Sequence, residues 1–129
     1  PDMAMYIFAE KIRNGEKIPL FNHGKMKRDF TYIDDIICGI RASLKYNYQC
    51  EVFNLGNNRS EDLMEMIGFI EQELGRKVEL DYLDMQPGDV KETFANIDHS
   101  RNKLNYNPKT SINEGIPKFI KWYKKYHKL

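Results

Sequence analysis

Long hydrophobic runs are missing from this chain. No apolar stretch approaches the ~20 residues that cross a bilayer, and no signal-peptide pattern is visible. Cysteine is scarce. Cys38 and Cys50 are too few for a disulfide framework and read as free, partly buried thiols of a reducing cytoplasm. His23, His99 and His127 have no ligand spacing with one another or with cysteine, so a metal site has no support. Charge of one sign is not in excess: 20 Lys and Arg stand against 19 Asp and Glu, which leaves no global field to recruit nucleic acid or a membrane. Lys118, Lys121, Lys124, Lys125 and Lys128 do crowd the C-terminus, as the solvated face of a last helix or as a basic docking patch.

Catalytic signatures are missing too. No Gly-x-Gly-x-x-Gly follows a strand, and none of the eight tyrosines has a lysine four residues on. There is no nucleophile elbow, zinc pattern or triad signature. No catalytic residue is therefore expected within the chain.

What is present is an ordinary globular composition, 41% hydrophobic and 30% charged, with alternating helical and short strand patterns. A helix is expected over 3–14, closed by Gly15, then a short strand at Pro19-Leu20-Phe21 and a second strand over 28–32. The helix over 33–45 should turn a stripe of Ile33, Ile37, Ile40 and Leu44 to the core. A strand is expected at Val52–Leu55, then a helix capped by Ser60 and carrying Leu63, Ile67, Ile70 and Leu74. A strand at Val78–Leu83 and a short helix near 99–105 follow. Ser111 and Glu114 form a capping box for a last helix whose stripe is Ile112, Ile116, Phe119, Tyr123 and Tyr126. Strands this short do not make a stable sheet alone; they look like pieces completing a sheet that lies elsewhere. The chain opens on Pro1, which predicts a processed product or a piece of a larger protein.

Three loops could carry chemistry. In Leu20–Gly24, Phe21 can pack on a planar base, or simply fill a core. In Lys27–Asp35, Arg28 suits a two-pronged grip on phosphate, or a surface ion pair. Asp34 and Asp35 there are better placed to offset a helix dipole than to bind a metal. In Met85–Val90, Asp89 can accept from a sugar hydroxyl, or from its own turn.

At these loops the chain resembles the extended short-chain dehydrogenase/reductase family, specifically its nucleotide-sugar epimerases. The stretches are Pro1-Asp2-Met3-Ala4, Leu20-Phe21-Asn22-His23-Gly24, Arg28 to Ile36, Phe53-Asn54-Leu55-Gly56-Asn57, Gln86-Pro87-Gly88-Asp89-Val90, and Lys109 to Ile112 with Glu114-Gly115-Ile116. They come in family order and cover essentially the whole chain. The UDP-glucuronate 4-epimerase group looks most similar; UDP-galactose epimerases commonly have arginine where Gln86 stands, and dehydratases and decarboxylases differ more there.

The resemblance implies a mixed α/β fold of helices and short strands, with 1–129 as the C-terminal substrate-binding domain. An N-terminal Rossmann domain would hold NAD and the Tyr-x-x-x-Lys pair, and no cofactor is expected on this chain itself. It implies a UDP-sugar substrate inverted at C4 through a 4-keto intermediate. The substrate-binding positions it implies are Arg28 on the phosphates, Phe21 beside uracil, Gln86 and Asp89 in the nucleotide loop, Thr93 on the sugar wall and Arg59 near the uridine. The surface facing the Rossmann half would be apolar and covered by self-association or disorder. Two other readings stay open: a sibling epimerase, dehydratase or decarboxylase, and a non-enzymatic α/β binding module acting through the basic last helix.

Overall fold

The computed structural model describes residues 3–129. Five helices, α1 (Ala4–Asn14), α2 (Ile33–Lys45), α3 (Leu63–Leu74), α4 (Asp98–Leu104) and α5 (Ile112–Tyr126), alternate with four strands of two or three residues. These are β1 (Ile18–Leu20), β2 (Lys27–Arg28), β3 (Glu61–Asp62) and β4 (Leu80–Tyr82). β1 runs parallel to β4, with Ile18 opposite Leu80, and β2 runs antiparallel to β3, with Arg28 opposite Glu61. The expected mixed α/β class is what the chain adopts.

The main core lies where α1, α3 and α5 meet. Phe8, Ile12, Met66, Ile67, Ile70, Ile116, Ile120 and Tyr123 are buried together there, with Ile18 and Leu20 of β1. Helical spacing puts each set on one face, and removing those faces from water is the main stabilising term. α1 and α3 end alike: the amides of Glu16 and Arg76 return to the carbonyls of Lys11 and Glu71, six residues bridged in each case, and Arg76 also donates to Arg13 O at 2.7 Å. A smaller cluster of Ile97, Leu104 and Tyr106 packs with Ala42, Phe53 and Leu55 under α2.

Several sequence expectations need correcting. The α2 stripe does not face the core: Ile33, Ile37, Ile40 and Leu44 are 58%, 44%, 42% and 81% exposed. The buried positions of α2 are Asp35 and Gly39. Gly39 sits so close to Leu55 and Tyr106 that a Cβ would come within 2.6 Å of Leu55, so this face meets the small cluster through its least bulky residue. The cysteines are exposed, not partly buried, because Cys38 lies on the outer side of α2 and Cys50 in the bend after it.

The expected strand at 28–32 shrinks to Lys27–Arg28, because Asp29 is taken up by loop amides. Val52–Leu55 makes no strand at all: Asn54 O accepts from Ser100 Oγ and Gly56 O from Tyr106 Oη, so side chains satisfy groups a ladder would have used. The strand expected at 78–83 keeps only Leu80–Tyr82. Asp62, the last residue of β3, caps α3 in place of Ser60, accepting from Met64 N at 2.8 Å. The box at α5 is not closed either; Ser111 Oγ bonds Asn113 Oδ1 instead of a helix amide. In the α5 stripe Ile120 is buried while Tyr126 is exposed. Pro1 and Asp2 of the first resembling stretch lie outside the described residues.

Candidate functional site

β2 is the hub of the loops singled out in the sequence. On one side it pairs with β3; on the other, Lys27 N donates to Lys91 O and Thr93 N to Lys27 O, so Thr93 is held beside Arg28. Preceding it is the turn Gln86–Asp89, where Asp89 N donates to Gln86 O at 3.2 Å. Pro87 fits its second position, and Gly88 at φ 87° supplies the left-handed third one, which a side chain resists. This turn sets Asp89 Oδ1 3.9 Å from Arg28 Nη2. The gap is too long for a hydrogen bond. Arg28 Nη1 also donates to Lys27 O at 2.8 Å, which steadies the side chain while leaving most of its five donors free. A half-buried guanidinium in that state can take a phosphate edge-on.

Phe21 stands at the end of β1, half-buried, in a short helical turn Phe21–Gly24. That turn is tied to the strand leading into the Gln86 loop: His23 N donates to Leu83 O, Leu83 N to Leu20 O, and His23 Nε2 lies 2.9 Å from Asp84 Oδ1. Phe21 and the Gln86–Asp89 turn therefore flank the same chain segment. Gln86 is exposed and Thr93 is exposed. Arg59 goes elsewhere. Its Nε lies 2.9 Å from Glu61 Oε1, an ion pair lacking hydrogen-bond alignment, and the two line a polar cavity of about 300 Å³ with Glu65, Phe69, Ser111 and Asn113.

Sequence reasoning missed the residue that organises these loops, Asp29, which accepts from Asn57 N, Asn58 N and Ala95 N. A glycine at the end of an expected strand was a signal of close backbone approach. At Gly56 a Cβ would overlap Ala95 and reach within 3.0 Å of Asp29 Oδ2. Asp35 does stand in the first turn of α2, and it also accepts from Thr110 N at 2.9 Å. Tyr106 donates to Gly56 O at 2.9 Å, and burial pushes its hydroxyl pKa up to about 12. Among the described residues no cluster of three metal-ligating side chains occurs, and no helix is long and apolar enough to cross a membrane.

A second feature is apolar. A cleft of about 510 Å³ opens between the Phe30–Ile33 segment and α5, lined by Phe30, Tyr32, Ile33, Phe119 and Trp122, with Lys118 Nζ 5.1 Å from the Tyr32 ring centre. It runs into the bare stripe of α2 through Ile33. Such a contiguous apolar surface marks a place of contact.

Arg28 and the Asp89 turn thus stand together at one strand edge of a short-stranded α/β scaffold. Residues 3–119 match the GDP-mannose 4,6-dehydratase family, and the chain belongs to it. The resemblance to NAD-dependent sugar epimerases of the extended short-chain dehydrogenase/reductase type is thereby borne out. The chain is 43% identical to an uncharacterised protein of Methanocaldococcus jannaschii, over 95% of this chain and 38% of that protein. It is 38% identical to UDP-glucuronate 4-epimerase of Thermodesulfobacterium geofontis, over 96% of this chain and 38% of the relative. Among solved structures it resembles a variant of UDP-glucuronic acid 4-epimerase from Bacillus cereus in complex with UDP-4-deoxy-4-fluoro-glucuronic acid and NAD. There the TM-score is 0.86 at 30% identity, covering 98% of this chain and 41% of the other. The chain thus spans less than half the length of the relatives it matches.

Proposed function

We propose that this chain is the UDP-sugar-binding part of an NAD-dependent 4-epimerase, with UDP-glucuronate as its substrate. The observation that carries the reading is the approach of Asp89 to Arg28 at 3.9 Å, which gathers a phosphate-gripping cation and a hydroxyl acceptor at one strand edge. Arg28 takes the diphosphate and Phe21 stacks beside the uracil. Gln86 and Asp89 bond the nucleotide from the turn, and Thr93 walls the sugar. Arg59, turned to its own cavity, borders the uridine only if its side chain swings away from Glu61. Similarity to the Thermodesulfobacterium enzyme supports glucuronate over other sugars.

The chain's own residues do not fit NAD. Among the described residues, β1 of the parallel strand pair runs straight into the one-turn helical segment Phe21–Gly24, which has a single glycine and is not the glycine-rich loop opening a long helix that cradles a pyrophosphate. NAD would be held, and hydride moved, by other parts of the protein. The occupant of the α2 stripe and the Phe30–Trp122 cleft is then a Rossmann-type domain of the same polypeptide, since the relatives are more than twice as long as the region matched.

Calorimetry on the isolated chain should give no NAD binding and weak UDP binding. The full-length protein should carry NAD and invert UDP-glucuronate at C4. Arg28→Ala in that protein should weaken UDP-sugar binding ~10- to 100-fold, the worth of a charge-assisted contact. A full-length protein that binds NAD yet converts no UDP-sugar overturns the reading, and turnover of another nucleotide sugar alone moves it to a sibling enzyme.

A further inference from the structure

The geometry points to Asp29 as the positioning residue of the nucleotide site, a role that rests on the UDP-binding reading above. Its two carboxylate oxygens gather four donors. Asn57 N at 2.8 Å and Thr31 Oγ1 at 3.3 Å reach Oδ1, while Asn58 N and Ala95 N reach Oδ2, each at 3.0 Å. Each carboxylate oxygen has two acceptor directions, so the group's capacity is filled.

Three of the donors, the amides of Asn57, Asn58 and Ala95, come from segments 28 to 66 residues away, and those segments lie next to residues proposed to meet the ligand. Asp29 follows Arg28 directly. Ala95 is two residues beyond Thr93, whose own amide donates to Lys27 O at 3.2 Å. Asn57 and Asn58 form the turn that delivers Arg59, with Asn58 at φ 55°. One carboxylate thus fixes the spacing between the phosphate grip and the sugar wall. Asp29 does this without neutralising its neighbour. Arg28 takes the looser Asp89 at 3.9 Å, while Asp29 is occupied by backbone amides. Had Asp29 paired with Arg28, the guanidinium would enter the site already satisfied. The close approach requires Gly56, where a Cβ would overlap Ala95 and lie 3.0 Å from Asp29 Oδ2.

Asparagine at this position keeps the size but points an NH2 at amide donors. Asp29→Asn in the full-length protein should raise KM for the UDP-sugar about tenfold with kcat held within about twofold, the signature of lost uniform binding. Hydrogen exchange should speed up at the amides of Asn57, Asn58 and Ala95 and stay unchanged in α3. Gly56→Ala, which pushes Ala95 off the same carboxylate, should raise KM in the same sense and serves if the asparagine variant does not fold. An unchanged KM, or a fall in kcat that tracks the folded fraction with KM constant, leaves Asp29 a stabilising residue and overturns the inference. A wild-type protein that binds no UDP-sugar sinks the nucleotide reading first, and this one with it.

Discussion

The two halves of the molecule are held together by different physics. Around α1, α3 and α5 the chain buries isoleucine, methionine and aromatic side chains, and the helix faces cover one another. Around α2 and α4 the apolar cluster has three buried residues, Ile97, Leu104 and Tyr106, and the loops are fastened by side chains bonding backbone: Asp29, Asp35, Ser100 and Tyr106. Non-directional burial makes a scaffold that tolerates change at its edges. Directional bonds fix loops at set distances, which is what a binding site needs, and leave little apolar surface to share. The bare stripe of α2 is the consequence: its inward face is spent on Asp35 and Gly39, so Ile33, Ile37 and Ile40 stay 42–58% exposed.

The largest effect should come from the first half. Ile67 is fully buried in the helical core, and Ile67→Ala should cost about 2–4 kcal/mol through lost burial and a residual cavity. Urea unfolding would register it as a fall in midpoint, a large share of a typical domain's stability. A loss below about 1 kcal/mol would mean that the three-helix pack is not where the stability resides.

Tyr106 sharpens the contrast from the other side. Tyr106→Phe keeps the ring and removes the bond to Gly56 O, for an expected loss of about 1–2 kcal/mol. Its effect also has a pH sign. The folded protein holds the Tyr106 proton up to about 12, above the ordinary value of 10.0, so the unfolded chain releases it first. This contribution is present below pH 10 and is lost as pH rises towards 12. Alkaline unfolding of wild type should therefore be steeper across that window than that of the Phe variant. Parallel curves would show that the hydroxyl is not held by burial.

How much of this could be read in advance follows the same division. The boundaries of α2, and the faces of α1, α3 and most of α5, were legible because helical periodicity and closing glycines are local signals. The loops 29–32 and 52–58 were not. Side chain-to-backbone bonds tie them to residues 28 to 66 positions away, as Asp29 accepts from Asn57 N and Ala95 N, and no local pattern announces such partners. The α2 stripe was misread for a related reason. Periodicity states that a face is apolar, and says nothing of whether the cover belongs to the same stretch of chain. The Gln86–Asp89 turn was legible from its Pro-Gly pair, whereas the bonds that Asp29 makes were hidden inside its own motif.

The smallest expected effect tests that last point. Ile37 is 44% exposed and stands four residues before Arg41 on α2, so Ile37→Glu creates an ion pair in the favourable order along the helix. In the isolated chain its stability should change by less than about 0.5 kcal/mol, as for other exposed positions. If the proposed Rossmann-type domain covers α2 in the full-length protein, the same carboxylate is pressed against it, and burying an unpaired charge costs several kcal/mol. The pair of measurements is decisive because the substitution is identical and only the cover differs. A loss above about 1.5 kcal/mol in the isolated chain, growing with protein concentration, would mean that copies of the chain already cover this face for one another. Equal small effects in both forms would leave α2 facing water in the whole protein, and its isoleucines would then have no interface to explain them.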